Sequence, residues 1–224
     1  MEFRHEWKHE IGYSDLLALR CRLRAVMDQD AHAADGTYRI RSLYFDNLAD
    51  RALREKIDGV NCREKFRIRY YNDDSSLLLL EKKSKVNGLC AKIQEPLSRD
   101  EVCRILQGDL ADHLTGSGKP LLQELHRKMT TQGLQPRTIV EYVREPFVYQ
   151  PGNVRVTLDY DIRVGMSWAD FLKSDCAAVP IRGRFIILEV KWDAFLPSVI
   201  RDIVQVPSTH TSAFSKYAAC RVYG

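Results

Sequence analysis

Cationic side chains recur at every second position through the middle of this 224-residue sequence. Lys65, Arg67 and Arg69 alternate with Phe66, Ile68 and Tyr70. Glu81, Lys83 and Lys85 keep the same spacing, and so do Lys92 and Gln94. Residues two apart share one face of an extended strand, so each run sets a charged row against an apolar one. Guanidinium forks and ammonium groups bind phosphate oxygens, and interleaved carboxylates hold hard divalent cations. Taken alone, the three runs fit an ordinary antiparallel sheet with one solvated face equally well. The pattern recurs in the remaining strands, and that recurrence bears on the choice.

The Arg63–Glu95 segment reads as three consecutive strands with turns at Asn72–Ser76 and Asn87–Gly88. Before it, Glu2–Ile11 forms a strand with Glu6 and Lys8 on one face. Ser14 caps a helix to Met27, with Leu16, Leu19, Leu23 and Val26 as its apolar stripe and Arg20, Arg22 and Arg24 as a solvated face. Tyr38–Asp46 is a strand with Ser42, Tyr44 and Asp46 on the face of Tyr38 and Ile40, and Leu48–Ile57 is a short helix. After it, Ser98 opens a helix over Arg99–Gln107, Gly108–Lys119 is irregular, and Pro120–Gln132 is helical. Strands follow at Arg137–Val148, Val154–Arg163 and Phe185–Trp192, then helices at Pro197–Val204 and Ser212–Cys220. About eight alternating strands with short connections predict an α+β fold, an eight-stranded antiparallel β tunnel barrel flanked by helices. Closure would remove the sheet's edges.

A chain of this length supports one large core, and residues 1–224 are expected to form a single domain. The formal net charge is +4 and the pI about 8.7, so the distribution of charge matters more than its sum. The six cysteines form no CxxC pair and no zinc spacing, as expected for reduced thiols in a cytoplasmic protein. No apolar run is long enough to span a bilayer, and no signal-peptide core is present.

The predicted helices carry apolar stripes that must meet an apolar sheet face. If Phe66, Ile68, Leu78, Leu80, Val156, Leu158, Leu188 and Val190 supply it, the charged faces line the interior. That lining contains Lys8, Lys65, Arg67, Arg69, Lys83, Lys92, Arg155 and Lys191, with Glu6, Glu81, Asp159, Asp161 and Glu189. Like charges ~4 Å apart repel by ~4 kcal/mol at an effective dielectric of ~20. Such a lining therefore needs water, carboxylate partners or an anionic ligand. A wet tunnel that takes phosphate chains together with Mg2+ or Mn2+ meets both requirements.

Eight short motifs occur in sequence order: EWK (Glu6–Lys8), SLYFD (Ser42–Asp46), FRIRYY (Phe66–Tyr71), LEKKSK (Leu80–Lys85), YVREPF (Tyr142–Phe147), VRVTLD (Val154–Asp159), ILEVK (Ile187–Lys191) and FSKY (Phe214–Tyr217). In this order they resemble the vacuolar transporter chaperone (VTC) domain, the polyphosphate polymerase member of the triphosphate tunnel metalloenzymes, which are related to CYTH proteins. Each motif is weak alone, but eight in order over nearly the whole chain are specific. The resemblance implies transfer of the γ-phosphoryl group of ATP onto a growing inorganic polyphosphate chain, with Mn2+ or Mg2+. It implies Lys8, Arg67, Arg69, Lys83, Arg155 and Lys216 as the catalytic cations. Lys92 and Arg144 are implied as further phosphate ligands, and Lys191 and Lys65 join them on parity. Glu189 is the implied metal ligand, with Glu6 beside it.

Two departures matter. Arg4 stands where tunnel hydrolases begin ExExK, leaving Glu6 and Lys8, which weakens hydrolysis relative to transfer. Eukaryotic polymerase subunits also carry an SPX domain and membrane helices. Neither is seen, so this chain is expected to insert in no membrane, and no membrane-protein partner is identified. The expected partners are ATP and inorganic polyphosphate or triphosphate, without nucleic acid. The alternatives are a tunnel hydrolase of inorganic or nucleoside triphosphate and a non-catalytic polyphosphate or nucleotide sensor.

Several side chains keep two readings. Glu81 is a second metal ligand or the partner of a neighbouring lysine. Asp159 and Asp161 bind metal or pair with Arg155 and Arg163. Lys82 and Lys85 are solvated or stand at a tunnel mouth. His5 and His9 fall opposite Lys8 and read as structural, and His32, His113, His126 and His210 lack metal-site spacing. Tyr70 and Tyr71 invite an RNA-binding reading, which the interleaved acids oppose.

Overall fold

The computed structural model describes residues 4–33, 35–87, 89–110, 118–207, 210–211 and 214–223. Glu2 of the expected first strand, Gly88 of the second turn, residues 111–117 of the irregular stretch and Ser212 of the last helix lie outside them. The strands are β1 (His5–Ile11), β2 (Asp28–Gln29), β3 (Tyr38–Asp46), β4 (Arg63–Tyr71), β5 (Asp74–Val86), β6 (Leu89–Leu97), β7 (Gln135–Tyr149), β8 (Val154–Gly165), β9 (Ala178–Pro180), β10 (Ile186–Trp192) and β11 (His210–Thr211). The helices are α1 (Tyr13–Val26), α2 (Arg51–Ile57), α3 (Arg99–Gln107), α4 (Pro120–Gln132), α5 (Ser198–Ile203) and α6 (Lys216–Tyr223).

All strands belong to one sheet with antiparallel pairings, and its long members run β1-β10-β8-β7-β3-β4-β5-β6. The α+β class and the long strands agree with the sequence reading. The short pairs β2–β7, β8–β9 and β1–β11 were not foreseen. Closure differs too. Among the described residues the terminal long strands β1 and β6 are not bonded to each other, and the outer edge of β1 carries β11 instead. The sheet nevertheless curls. Lys83 on β5 lies within electrostatic reach of Glu6 and Lys8 on β1 and of Glu189 and Lys191 on β10, near the opposite end of the ladder.

The convex face is apolar, as expected. Phe66, Ile68, Leu78 and Leu80 pack with Val102 and Ile105 of α3 and Leu121, Leu122 and Leu125 of α4. Val156, Leu158, Leu188 and Val190 pack with Leu16, Leu19 and Leu23 of α1 and Ile200 of α5. The concave face is charged over only part of its area. Ile40, Tyr44, Tyr142 and Ile187 form a third cluster there with Tyr217, Ala219 and Cys220 of α6. The C-terminal helix therefore occupies part of the interior.

Local chemistry explains the element ends. Ser98 Oγ accepts the Glu101 N–H at 3.2 Å while Glu101 accepts the Ser98 N–H at 2.6 Å, a capping box that starts α3. At α1 the Asp15 carboxylate accepts the Gly12 N–H at 3.2 Å, so the cap is Gly12 rather than Ser14. Arg22 and Arg24 of α1 are exposed, as expected, but Arg20 is half-buried and the face is not simply solvated: Arg20 and Arg24 reach across to β7. Both pair with the buried Glu145 of β7, at 2.8 and 3.2 Å.

Candidate functional site

Strand register assembles the charged face. In an antiparallel pair, directly opposed residues project to the same side. Lys8 opposes Glu189, Glu6 opposes Lys191, and Lys191 opposes Arg155. Arg144 opposes both Asp159 and Tyr38. Ser42 opposes Arg69, Tyr44 opposes Arg67, Arg67 opposes Glu81, and Lys65 opposes Lys83, which opposes Lys92. Every strand-borne candidate but Asp161 thus stands on one continuous concave surface.

Glu81 organises the β3–β5 side. It is 2% exposed and takes the Arg67 guanidinium at Nε (2.6 Å) and Nη2 (2.5 Å). Lys92 stands 3.5 Å away and Arg69 3.9 Å away. Burial would raise the Glu81 pKa, but Arg67 and Arg69 hold it well below the usual carboxylate range. Three hydroxyls orient the arginines further. Arg67 donates to Tyr44 (2.8 Å), and Arg69 donates to Ser42 and Tyr142 (3.1 Å each). This geometry favours the partner reading of Glu81.

A second centre lies on β1 and β10. The Lys8 ammonium stands 2.5 Å from Glu6 and 3.1 Å from Glu189, and Lys191 takes the other Glu189 oxygen. Despite burial, Lys191 and Lys8 hold Glu189 well below its usual pKa, and Lys8 and Lys83 lower that of Glu6 against burial and Glu189. Thr157, opposite Glu189 on β8, buries a hydroxyl with no partner among the described residues.

Lys65 and Lys83 form no ion pair among the described residues. Burial together with Lys191 and Lys8 pushes Lys83 down to about 7. Burial, Arg67 and Lys8 outweigh Tyr44 and bring Lys65 to about 8. Lys65 lies over the Tyr44 ring at 5.6 Å. Burial would raise the Tyr44 phenol, yet Arg67, Lys65 and Arg69 bring it down to about 8.

The third centre brings in α6. Asp159 is fully buried and receives Arg144 bidentately at 2.7 Å on both oxygens, with Lys216 at 2.6 Å. Lys216 also lies 4.5 Å over the Tyr142 ring. Asp159 therefore does not pair with Arg155, which instead meets Asp30 (2.8 Å) and the Tyr38 hydroxyl (2.7 Å). Asp161 does pair with Arg163 at 3.1 Å, but it is exposed, not interior. Its φ of 50° falls at the β7–β8 register shift, which breaks the alternation. Lys82 is paired on the convex face with Glu124 (2.5 Å) and Glu64 (3.3 Å), rather than solvated.

Sequence reasoning missed Tyr44, Ser42, Tyr142 and Asp30 as supports of the cations. A signal existed for the first two, since Ser42 and Tyr44 alternate within SLYFD. Nothing local marks Asp30, which reaches Arg155 across 125 positions.

A family model of the VTC domain matches residues 3–223. The chain belongs to the VTC domain family. That assignment covers every side chain described above. No curated protein matches the sequence. Among solved structures, a Bacillus halodurans protein described as a candidate adenylate cyclase superposes with a TM-score of 0.51 at 15% identity, covering 92% of this chain and 94% of its own. That likeness is one of fold. A Pyrococcus horikoshii protein gives a TM-score of 0.45 at 12% identity, over 89% of this chain and 84% of its own. Among the described residues no helix is long and apolar enough to cross a membrane.

The carboxylates fit a divalent cation of one kind. No group of three or more His, Cys, Asp or Glu suited to a metal exists among the described residues. Glu6 and Glu189 share one cation already, and Glu189 stands opposite Thr157, whose hydroxyl has no partner among the described residues. One or two carboxylates completed by substrate phosphates and water is the usual arrangement for Mg2+.

Proposed function

We propose that this VTC domain is a polyphosphate polymerase that transfers the γ-phosphoryl group of ATP onto an inorganic polyphosphate chain held in its basic lumen. Family membership supports a phosphotransfer or triphosphatase-type chemistry. The observation that carries the reading is the cation excess. After Glu6, Glu81, Asp159 and Glu189 have all been engaged, Lys65 and Lys83 still lack an anionic partner among the described residues. An enclosed cation in that state calls for an anionic ligand.

Phosphoryl transfer demands positioning and charge neutralisation more than covalent help. Arg67 and Arg69, locked by Glu81 and the hydroxyls, present guanidinium forks to phosphate oxygens without reorganising. Arg144 and Lys216, fixed by Asp159, and Arg155, fixed by Asp30, extend the cradle. Lys65, Lys83 and Lys92 act as point charges along the chain. Glu6 and Glu189 would hold Mn2+ or Mg2+, which neutralises phosphate oxygens when bound. The attacking group is the terminal phosphate of the acceptor, already an anion, so no protein base is needed. Arg4 supplies no carboxylate for activating water and pairs with Asp193 at 2.7 Å, which favours transfer over hydrolysis.

The test is incubation of purified protein with ATP and Mn2+, with long-chain polyphosphate and free phosphate both quantified. Polymer supports the proposal, phosphate alone supports a hydrolase, and binding without turnover supports a sensor. Arg67→Ala and Glu189→Ala should each abolish polymer in folded protein, and wild-type rates in either would refute these roles.

A further inference from the structure

Two lysines beside the Glu6–Glu189 pair, Lys8 on β1 and Lys83 on β5, differ in a way that charge alone does not explain. Lys8 and Lys83 lie near the same carboxylates, but Lys8 contacts both Glu6 and Glu189 while Lys83 contacts neither. Lys83 is free to meet an anion, whereas Lys8 is already committed. The oxygens that hold Lys8 are also those that would hold a divalent cation. An ammonium and a metal ion compete for them, because both seek the same oxygens and they repel at short range.

We propose that Lys8 is the resident occupant of the Glu6–Glu189 cation site and is exchanged for a divalent cation, becoming a phosphate ligand only after that exchange. This rests on the reading of Glu6 and Glu189 as the metal-holding pair. The flexible four-carbon stem of Lys8 lets its ammonium leave the carboxylates while β1 stays paired with β10. The Thr157 hydroxyl opposite Glu189 offers the incoming ion a neutral oxygen that no other group among the described residues uses. The consequence is a coupling. Metal binding converts Lys8 from a carboxylate partner into a phosphate ligand, and phosphate binding favours metal by the same factor.

The test uses wild type, Lys8→Met, Lys8→Gln and Lys83→Met, each checked for folding by circular dichroism. Two equilibria are measured by calorimetry: Mn2+ alone, and inorganic triphosphate with and without Mn2+. Exchange predicts that both Lys8 variants bind Mn2+ at least about tenfold more tightly than wild type, and that Lys83→Met gains markedly less. It also predicts that the Lys8 variants lose little triphosphate affinity without metal and about tenfold or more with it. Lys83→Met should lose affinity under both conditions. Equal gains in Mn2+ affinity for the Lys8 and Lys83 variants would reduce the effect to simple repulsion and overturn the exchange. A triphosphate loss in the Lys8 variants that ignores metal would overturn it as well. Failure of wild-type protein to bind Mn2+ with or without triphosphate would remove the metal reading beneath it, a separate outcome.

Discussion

Glu81 shows how single residues make the lumen workable. One buried carboxylate holds Arg67 directly, with Arg69 and Lys92 nearby, so the arginines are aimed before any ligand arrives. Removing one partner of such a group costs about 3–5 kcal/mol, because the remaining charges are stranded. Glu81→Ala should therefore lower the thermal midpoint, and inorganic triphosphate should restore much of the loss by supplying the missing anion. An unchanged midpoint would contradict this role. The lysines give a pH signature. Lys83 at about 7 and Lys65 at about 8 both lie below the ordinary lysine value. The unfolded chain therefore binds these protons more tightly, and the stability of the unliganded protein should rise with pH from about 7 towards the ordinary lysine range. A bound phosphate chain reverses the preference by stabilising the ammonium forms. Triphosphate binding near pH 8 should take up protons, and its affinity should fall between about pH 7 and 9. Calorimetry in buffers of different ionisation heat measures the uptake, and its absence would show that these lysines do not meet the ligand.

At the level of elements, α6 is the piece whose placement decides most. Asp46 ends β3 and accepts the Ala52 and Leu53 N–H groups at 2.8 and 3.1 Å, securing the start of α2. The same carboxylate accepts the Tyr217 hydroxyl of α6 at 2.7 Å, and Tyr217 stacks on Tyr44 with centroids 5.0 Å apart. Burial and Asp46 keep the Tyr217 phenol protonated by pushing its pKa up. Asp46→Ala strands these donors and should cost about 2–4 kcal/mol in urea unfolding. It should also weaken triphosphate binding through Lys216, so that Asp46→Ala and Lys216→Ala together lose less than the sum of the single losses. Strict additivity would disconnect Asp46 from the site. Elements with local signals were legible in the sequence. Ser98 with Glu101 and Pro120 gave the starts of α3 and α4, and the strand alternation gave the charged face. Elements decided by distant partners were not. Arg20 read as solvent-facing because its partner Glu145 lies more than 100 positions away, and Asp161 read as interior because one left-handed residue shifts the register.

The whole molecule is a curled sheet whose apolar convex side is covered by helices and whose concave side carries the charge. Parity along strands was enough to infer this inversion, since the helices need an apolar partner. Parity could not show that Tyr217, Ala219 and Cys220 fill part of the interior, because a helix from the far end of the chain leaves no trace in strand periodicity. Nor could it show that β1 and β6 stay unbonded among the described residues. Lys92 on β6 is about half exposed, so the lumen meets solvent on that side. Binding there should be the most sensitive to salt, since exposed charges are screened within about 8–10 Å at physiological ionic strength and buried ones far less. The central claim is that the enclosed cations grip a phosphate chain from within. Structure determination with bound inorganic triphosphate tests it most directly. Phosphate oxygens on Arg67, Arg69, Lys83 and Arg144 inside the curl are the expected result; triphosphate bound only to convex-face lysines such as Lys82 and Lys128 would contradict it.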